Sequence, residues 1–222
     1  TRPMGTKKKA VVIMAAGQGT RMKSKTTKLL HQVAGRPLIH YPIELGLALG
    51  AERIVLVLGH QRDAIEAYVE SAFAGAPIES VIQAEQLGTA HAVLCAQPLL
   101  SDFDGDVVIL SGDVPCLHEN ILTALDAAKR SAPVGLVTMR LNVPNRYGRL
   151  VRDDAGNANA IVEFADGNTQ QRAIEELNSG IYQVDAQFLF STLNTIGSDN
   201  AQGEFYLTDL VEIAAKQGSP AQ

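Results

Sequence analysis

What this chain lacks narrows it first. No apolar run is long enough to span a membrane, and the opening residues, Thr1 to Lys9, are polar and basic rather than an apolar signal segment. Only two cysteines occur, Cys95 and Cys116, without the spacing of a disulfide framework or a metal site. They read as two ordinary thiols in a reducing cytoplasm. His31, His40, His60 and His118 show no metal-ligand spacing. No Ser/His/Asp or Cys/His arrangement is legible, so no covalent nucleophile stands out. An excess of positive charge is missing too: 19 Lys and Arg stand against 24 Asp and Glu, a net charge of −5. That argues against a general nucleic-acid binder. The expectation is a cytoplasmic protein with neither nucleic acid nor membrane as partner.

What is present can bury a core. The chain has 222 residues, 46% hydrophobic and 19% charged, enough for one domain or one domain with a small lobe. Strand-like runs recur at Ala10–Ala15, Arg53–Leu58, Ser80–Gln83, Asp106–Ser111 and Gly135–Leu141. Helical patterns lie between them, at Pro37–Leu49, Asp63–Phe73, Thr89–Ala96 and Glu119–Arg130. Val11–Met14 and Val107–Leu110 are continuously apolar, the pattern of strands buried on both faces of a parallel sheet. Alternation of strand and helix then predicts a Rossmann-like, doubly wound, mainly parallel α/β sheet with right-handed crossovers. Pro37, after Gly35 and Arg36, fits the first turn of a helix.

After residue 141 the pattern changes. Asn142 to Asn145 is a turn cluster, and Asp153 to Asn157 reads as a hairpin tip between Gly148–Arg152 and Ala160–Phe164. Residues 142–185 are expected to form a smaller β-rich lobe on the sheet, and Phe205–Lys216 a final amphipathic helix. Residues 1–9 are expected to be a tail whose first three, ahead of Met4, are foreign to the protein. The domain proper then covers 10–222, divided into 10–141 and 142–222.

The most informative stretch is the first loop. Val11–Met14 empties into Ala15, Ala16, Gly17 and Gly19, followed by Arg21, Lys23, Lys25 and Lys28 with no acid among them. Gly17 and Gly19 let the backbone approach a ligand, and backbone N–H groups in such a turn can face phosphate oxygens. Arg21 can fork onto two oxygens, while Lys28 is a movable point charge. This is not a P-loop, because no Gly-Lys-Ser/Thr follows, nor a dinucleotide fingerprint, because the third glycine is missing.

Three further stretches carry polar groups where a ligand would lie. In Ser111-Gly112-Asp113-Val114-Pro115 an apolar strand ends at an acid, which suits either a Mg²⁺ ligand or a helix cap. Gln83 offers an amide for the edge of a base, Gly88 permits contact with a flat ring, and Thr89 fits an N-cap of the next helix. His91 on that helix reads as a satisfied histidine. Gly148, Glu163 and Asn178 suit the hydroxyls of a sugar, or are simply polar strand residues.

These motifs, in their order along the chain, resemble the sugar-nucleotidyltransferase superfamily. The first-loop stretch A-A-G-Q-G-T-R-M with Lys28 is common to many of its members. Q-A-E-Q-L-G-T at 83–89, S-G-D-V-P at 111–115, Y-G-R at 147–149, N-S-G-I at 178–181 and G-E-F-Y-L-T-D at 203–209 are more specific. They resemble the bacterial N-acetylglucosamine-1-phosphate uridylyltransferases. The resemblance implies that Ala15, Ala16, Gly17, Gln83 and Gly88 hold a uridine. It implies that Arg21 and Lys28 hold phosphates, Asp113 holds Mg²⁺, and Thr89, Gly148, Glu163 and Asn178 hold the N-acetylglucosamine part. The implied substrates are UTP and N-acetylglucosamine 1-phosphate, and the product would serve cell-wall precursor synthesis.

Alternatives within reach are another sugar 1-phosphate or TTP as substrate, or a catalytically weak nucleotide-sugar binding module. The sequence departs from the family at Lys25 and Thr27, where an acid and a proline are usual. In the family a second metal ligand, an Asn, and an acetyltransferase domain through which full-length relatives trimerise lie beyond the point that corresponds to Gln222; the expectation is a chain without them, either truncated or naturally short.

Overall fold

The computed structural model describes residues 7–17, 27–59, 62–141 and 143–222. In chain order, β1 (Lys9–Ala15) leads to a 3-10 turn (Lys28–Leu30), then β2 (Gln32–Val33), β3 (Arg36–Pro37), α1 (His40–Ala48), β4 (Arg53–Leu58) and α2 (Arg62–Ala72). Next come β5 (Ile78–Ile82), α3 (Thr89–Leu94), α4 (Gln97–Leu100), β6 (Asp106–Ser111), α5 (Glu119–Lys129) and β7 (Val134–Arg140). The rest is β8 (Arg149–Arg152), β9 (Ala158–Val162), α6 (Thr169–Arg172), β10 (Glu176–Asp185), α7 (Ala186–Leu193) and α8 (Asp209–Lys216).

Eight of these strands form one sheet in the order β5-β4-β1-β6-β10-β8-β9, with β7 on the other side of β10. β5, β4, β1 and β6 run parallel. β10 is antiparallel to β6, β7 and β8. The expected doubly wound sheet is present, parallel through its β5-β4-β1-β6 part, with β10, β7, β8 and β9 added antiparallel.

Its cause is visible in β1. Ala10 and Val12 pack in one apolar cluster, with α3, α7 and α8. Val11, Ile13 and Ala15 pack in the other, with α1, α2 and α5. Successive side chains on a strand point to opposite faces, so a strand covered by helices on both sides must be apolar throughout. β4 and β6 divide the same way between the two clusters.

β10 crosses from one part of the sequence pattern to the other. Residues 182–185 pair with β6, at the edge of the parallel half of the sheet. A register shift between Asn178 and Ile181 follows, and Leu177 then pairs with Arg149 of β8. The hairpin β8–β9 forms as expected around the Asp153–Asn157 tip. There Asp153 Oδ1 accepts from the N–H groups of Ala155 and Asn157.

Pro37 corrects one expectation. It does not open α1 but pairs with Gln32 in the two-residue ladder β2–β3, and the helix begins at His40. Ala34 and Gly35 both have positive φ, 51° and 84°. That is the conformation a two-residue hairpin turn needs, and it folds the chain back before the helix can start.

At the amino edge of the sheet lies a buried polar network. Lys129 Nζ donates to Asp106 at 3.0 Å, both nearly fully buried. Gln183 Nε2 donates to Asp106 at 2.8 Å and to Asp126 at 2.6 Å.

Candidate active site

The carboxyl ends of β1, β4, β5 and β6 meet along one edge, where ligands bind in open α/β sheets. Ala15, Ala16 and Gly17 leave β1 there, Gln83 follows β5 and Asp113 follows β6. Gly112 N–H donates to Met14 C=O at 2.9 Å, and Gln83 N–H to Leu58 C=O at 2.8 Å. Arg21 and Lys25 lie outside the described residues.

Lys28, on the 3-10 turn, points its ammonium at Asp113, with Nζ 2.5 Å from Oδ2. Asp113 also accepts from the Ser111 hydroxyl at 2.7 Å, a residue the sequence reading left without a role. The chain turns at Gly112 and Asp113, directly after β6, and this brings the Asp113 carboxylate back to the Ser111 hydroxyl. Burial alone would raise the Asp113 pKa; the Lys28 hydrogen bond, the Ser111 hydroxyl and the Lys28 charge outweigh it and hold the carboxyl below its ordinary value. Asp113 is not a helix cap, since α5 begins at Glu119 with His118 as its N-cap.

Gln83 is almost completely buried. Its Nε2 reaches the Gly88 C=O at 3.2 Å and His91 Nδ1 at 3.0 Å, so His91 is a satisfied histidine and Gln83 is held rigid. Gln86, also unassigned from sequence, ties this segment to the first loop through Nε2 to Ala16 C=O at 3.0 Å. Gly88 has φ +117°, and a Cβ there would stand 2.5 Å from the Phe205 carbonyl oxygen. Only glycine fits that close approach.

Thr89 corrects a second expectation. It is not the N-cap of α3; Gly88 holds that position, with no side-chain capping bond. The Thr89 hydroxyl instead accepts from the Leu207 N–H at 3.0 Å. With Gly88 pressed on Phe205, Thr89 is the first helical residue and its side chain is turned to the later segment.

Gly148, Glu163 and Asn178 come together. Asn178 N–H donates to the Gly148 C=O at 2.9 Å. A Cβ on Gly148 would lie 2.8 Å from Ile161 Cγ2 and 3.3 Å from Glu163 Oε1. Arg149, buried, fixes the turn before Gly148 by donating to Asn145 Oδ1 at 2.9 Å and to the Tyr147 C=O, with its guanidinium 5.0 Å from the Phe164 ring. Burial pushes the Glu163 pKa up; a Thr208 hydroxyl bond opposes this, and Asp166, Asp209 and Glu204 add to the rise. Beneath lies Tyr182, fully buried, whose hydroxyl has no hydrogen-bond partner among the described residues. Burial drives its pKa up, with Asn178 and Glu163 the polar groups that act on it.

One edge thus carries the small residues Ala15, Ala16 and Gly17 at the end of β1, a lysine–carboxylate pair, a rigid amide and a cluster of acceptors. A family profile described as nucleotidyl transferase matches residues 10–222. The chain belongs to that family. Within it, the chain is 50% identical over 214 residues to the bifunctional protein GlmU of Anaeromyxobacter sp. strain K, covering 96% of this chain and 44% of that protein. It is 50% identical over 213 residues to the GlmU of Pelobacter propionicus, covering 95% and 45%. It is 45% identical over 217 residues to that of Corynebacterium efficiens, covering 96% and 45%. The chain therefore spans less than half the length of these relatives. A solved UDP-glucose pyrophosphorylase in complex with UDP-glucose shares the fold, with a TM-score of 0.78 at 19% identity, over 95% of this chain and 88% of that one. Among the described residues, no helix is long and apolar enough to cross a membrane.

Proposed function

We propose that this chain transfers the uridylyl group of UTP to N-acetylglucosamine 1-phosphate, forming UDP-N-acetylglucosamine and pyrophosphate for cell-wall precursor synthesis in the cytoplasm. The observation that carries the reading is that three groups on the carboxyl side of the sheet are each held together by their own contacts, Gln83 with Gly88, Lys28 with Asp113, and Gly148 with Glu163 and Asn178, and that residues 205–208 tie the first of these to the third. Identity of about half to the GlmU proteins over nearly the whole chain supports it.

In this reading a phosphate oxygen of the sugar 1-phosphate attacks the α-phosphorus of UTP. The bond from that phosphorus to the bridging oxygen breaks, and pyrophosphate leaves with the electron pair. The attacking oxygen is already anionic, so no general base is required, and the work is alignment and charge stabilisation. Ala15, Ala16, Gly17, Gln83 and Gly88 hold the uridine. Arg21 and Lys28 meet the charge gathering on the leaving pyrophosphate. Thr89, Gly148, Glu163 and Asn178 hold the sugar.

Asp113 is the residue assigned to Mg²⁺. Among the described residues no cluster of three or more His, Cys, Asp or Glu side chains could cage a metal. One carboxylate beside a phosphate site nevertheless fits an ion that takes one or two carboxylates and completes its shell with phosphate and water. Such an ion would neutralise phosphate charge.

The test is pyrophosphate release from UTP and Mg²⁺ with N-acetylglucosamine 1-phosphate, glucosamine 1-phosphate, glucose 1-phosphate and galactose 1-phosphate, repeated with TTP. Release with the first sugar and UTP in clear preference supports the reading. Preference for another pair, or tight binding of UDP-N-acetylglucosamine without any release, overturns it.

A further inference from the structure

Residues 200–208 lie far along the chain from both ends of the site, yet they are attached to both. Phe205 N–H donates to the Leu87 C=O at 2.8 Å, and Ala90 N–H donates to the Phe205 C=O at 2.9 Å. Leu207 N–H donates to Thr89 Oγ1 at 3.0 Å. The intervening residues reach the other way. The Tyr206 hydroxyl donates to Asp166 Oδ2 at 3.1 Å, and the Thr208 hydroxyl to Glu163 Oε1 at 3.2 Å. Asn200 folds the segment: its Oδ1 accepts from the Gln202 and Glu204 N–H groups, and its amide donates to the Glu204 C=O at 2.6 Å.

Thr208 is the telling residue. It stands at the N-cap of α8, where a threonine hydroxyl normally accepts from the helix, yet it makes no capping bond. It is 4% exposed and gives its hydroxyl to Glu163 instead. The first N–H groups of α8 are met by the backbone of the preceding turn, Asp209 N–H by the Tyr206 C=O at 3.2 Å and Leu210 N–H by the Leu207 C=O at 3.1 Å, so the Thr208 hydroxyl is free to serve Glu163.

We propose that Thr208 is a positioning residue: its hydroxyl aims the Glu163 carboxylate at the bound sugar 1-phosphate, and residues 205–208 hold that aim in fixed relation to the nucleotide end. The proposal rests on the function proposed above. A hydroxyl donating to a carboxylate also favours its ionised, accepting form. That matters here because Asp166, Glu204 and Asp209 all oppose ionisation of Glu163, and Tyr182 beneath it is buried and neutral.

The experiment is steady-state pyrophosphate release with UTP, N-acetylglucosamine 1-phosphate and Mg²⁺ across pH 5 to 9. It compares the wild-type chain with Thr208→Val, Thr208→Ser and Glu163→Gln, each checked by thermal unfolding. Thr208→Val should raise KM for the sugar about tenfold, the loss expected for a hydrogen bond to a charged group. It should leave KM for UTP unchanged and move the acid limb of kcat/KM for the sugar to higher pH. Thr208→Ser should restore both, and Glu163→Gln should remove the limb. A Thr208→Val enzyme with wild-type sugar KM and acid limb overturns the proposal, as does failure of the serine to rescue or an equal rise in both KM values. If Glu163→Gln impairs sugar use while Thr208→Val does not, this inference fails and the function stands. If the wild-type chain neither turns over the pair nor binds UDP-N-acetylglucosamine by calorimetry, both fall.

Discussion

The ammonium of Lys28 and the carboxylate of Asp113 stand 2.5 Å apart, though 85 residues separate them in the chain. The pair places a positive and a negative group beside the carboxyl end of β1. Before substrate arrives each group satisfies the other; a triphosphate and a cation would give each a new partner.

Loss of either should therefore affect turnover far more than folding. Lys28→Ala and Asp113→Ala are each expected to lower kcat about 10²–10³-fold, the usual cost of removing a group that acts on transition-state charge. Far-UV circular dichroism should be unchanged. Chelation of divalent cations should abolish release by the wild-type chain, with recovery on adding Mg²⁺. Near-normal turnover by either variant would remove the pair from the chemistry.

Glu163 gives a pH dependence with a definite sign. Its folded pKa is raised above the ordinary 4.5, by burial first. The folded chain thus holds this proton more tightly than the unfolded one. Its favourable contribution is full below the unfolded value and is lost as pH rises through the folded value. At neutral pH the ionised Glu163 weakens the fold. Glu163→Gln should raise Tm at pH 7 but change it little near pH 4, while sugar affinity falls. An unchanged Tm at pH 7 would contradict the burial argument.

Gly88→Ala tests the base end. The added Cβ meets backbone atoms of Phe205 at 2.5 and 2.7 Å, and φ +117° is unfavourable for alanine. Backbone strain of this kind costs about 1–3 kcal/mol. Urea unfolding should show a loss of that size, and KM for UTP should rise about tenfold. Wild-type values of both would mean that the 83–89 and 203–208 segments can part without cost.

How much of this was legible beforehand depends on distance along the chain. β1, β4 and β6 announced themselves because burial on both faces demands uninterrupted apolar runs. The hairpin tip at 153–157 was legible because Asp, Gly and Asn act on their near neighbours. The bond from Leu207 to Thr89 spans 118 residues, and nothing local at Thr89 distinguishes a hydroxyl that caps from one that accepts a distant N–H. Pro37 misled for a related reason. A proline suits a first helical turn and a short ladder equally, and the positive φ of Ala34, an uncommon state for that residue, decided between them. Ser111, Gln86 and Thr208 lie within motifs quoted from the sequence, but their partners, Asp113, the Ala16 carbonyl and Glu163, needed coordinates, as did the burial of Tyr182.

The register shift in β10 has a mechanical consequence. One continuous strand neighbours β6 with one half and β8 with the other. The surfaces proposed for nucleotide and for sugar therefore share one strand as a common spine. In the proposed reading, the spacing between base and sugar is then a matter of strand length, the run from Tyr182 to Leu177, rather than of a linker between two lobes.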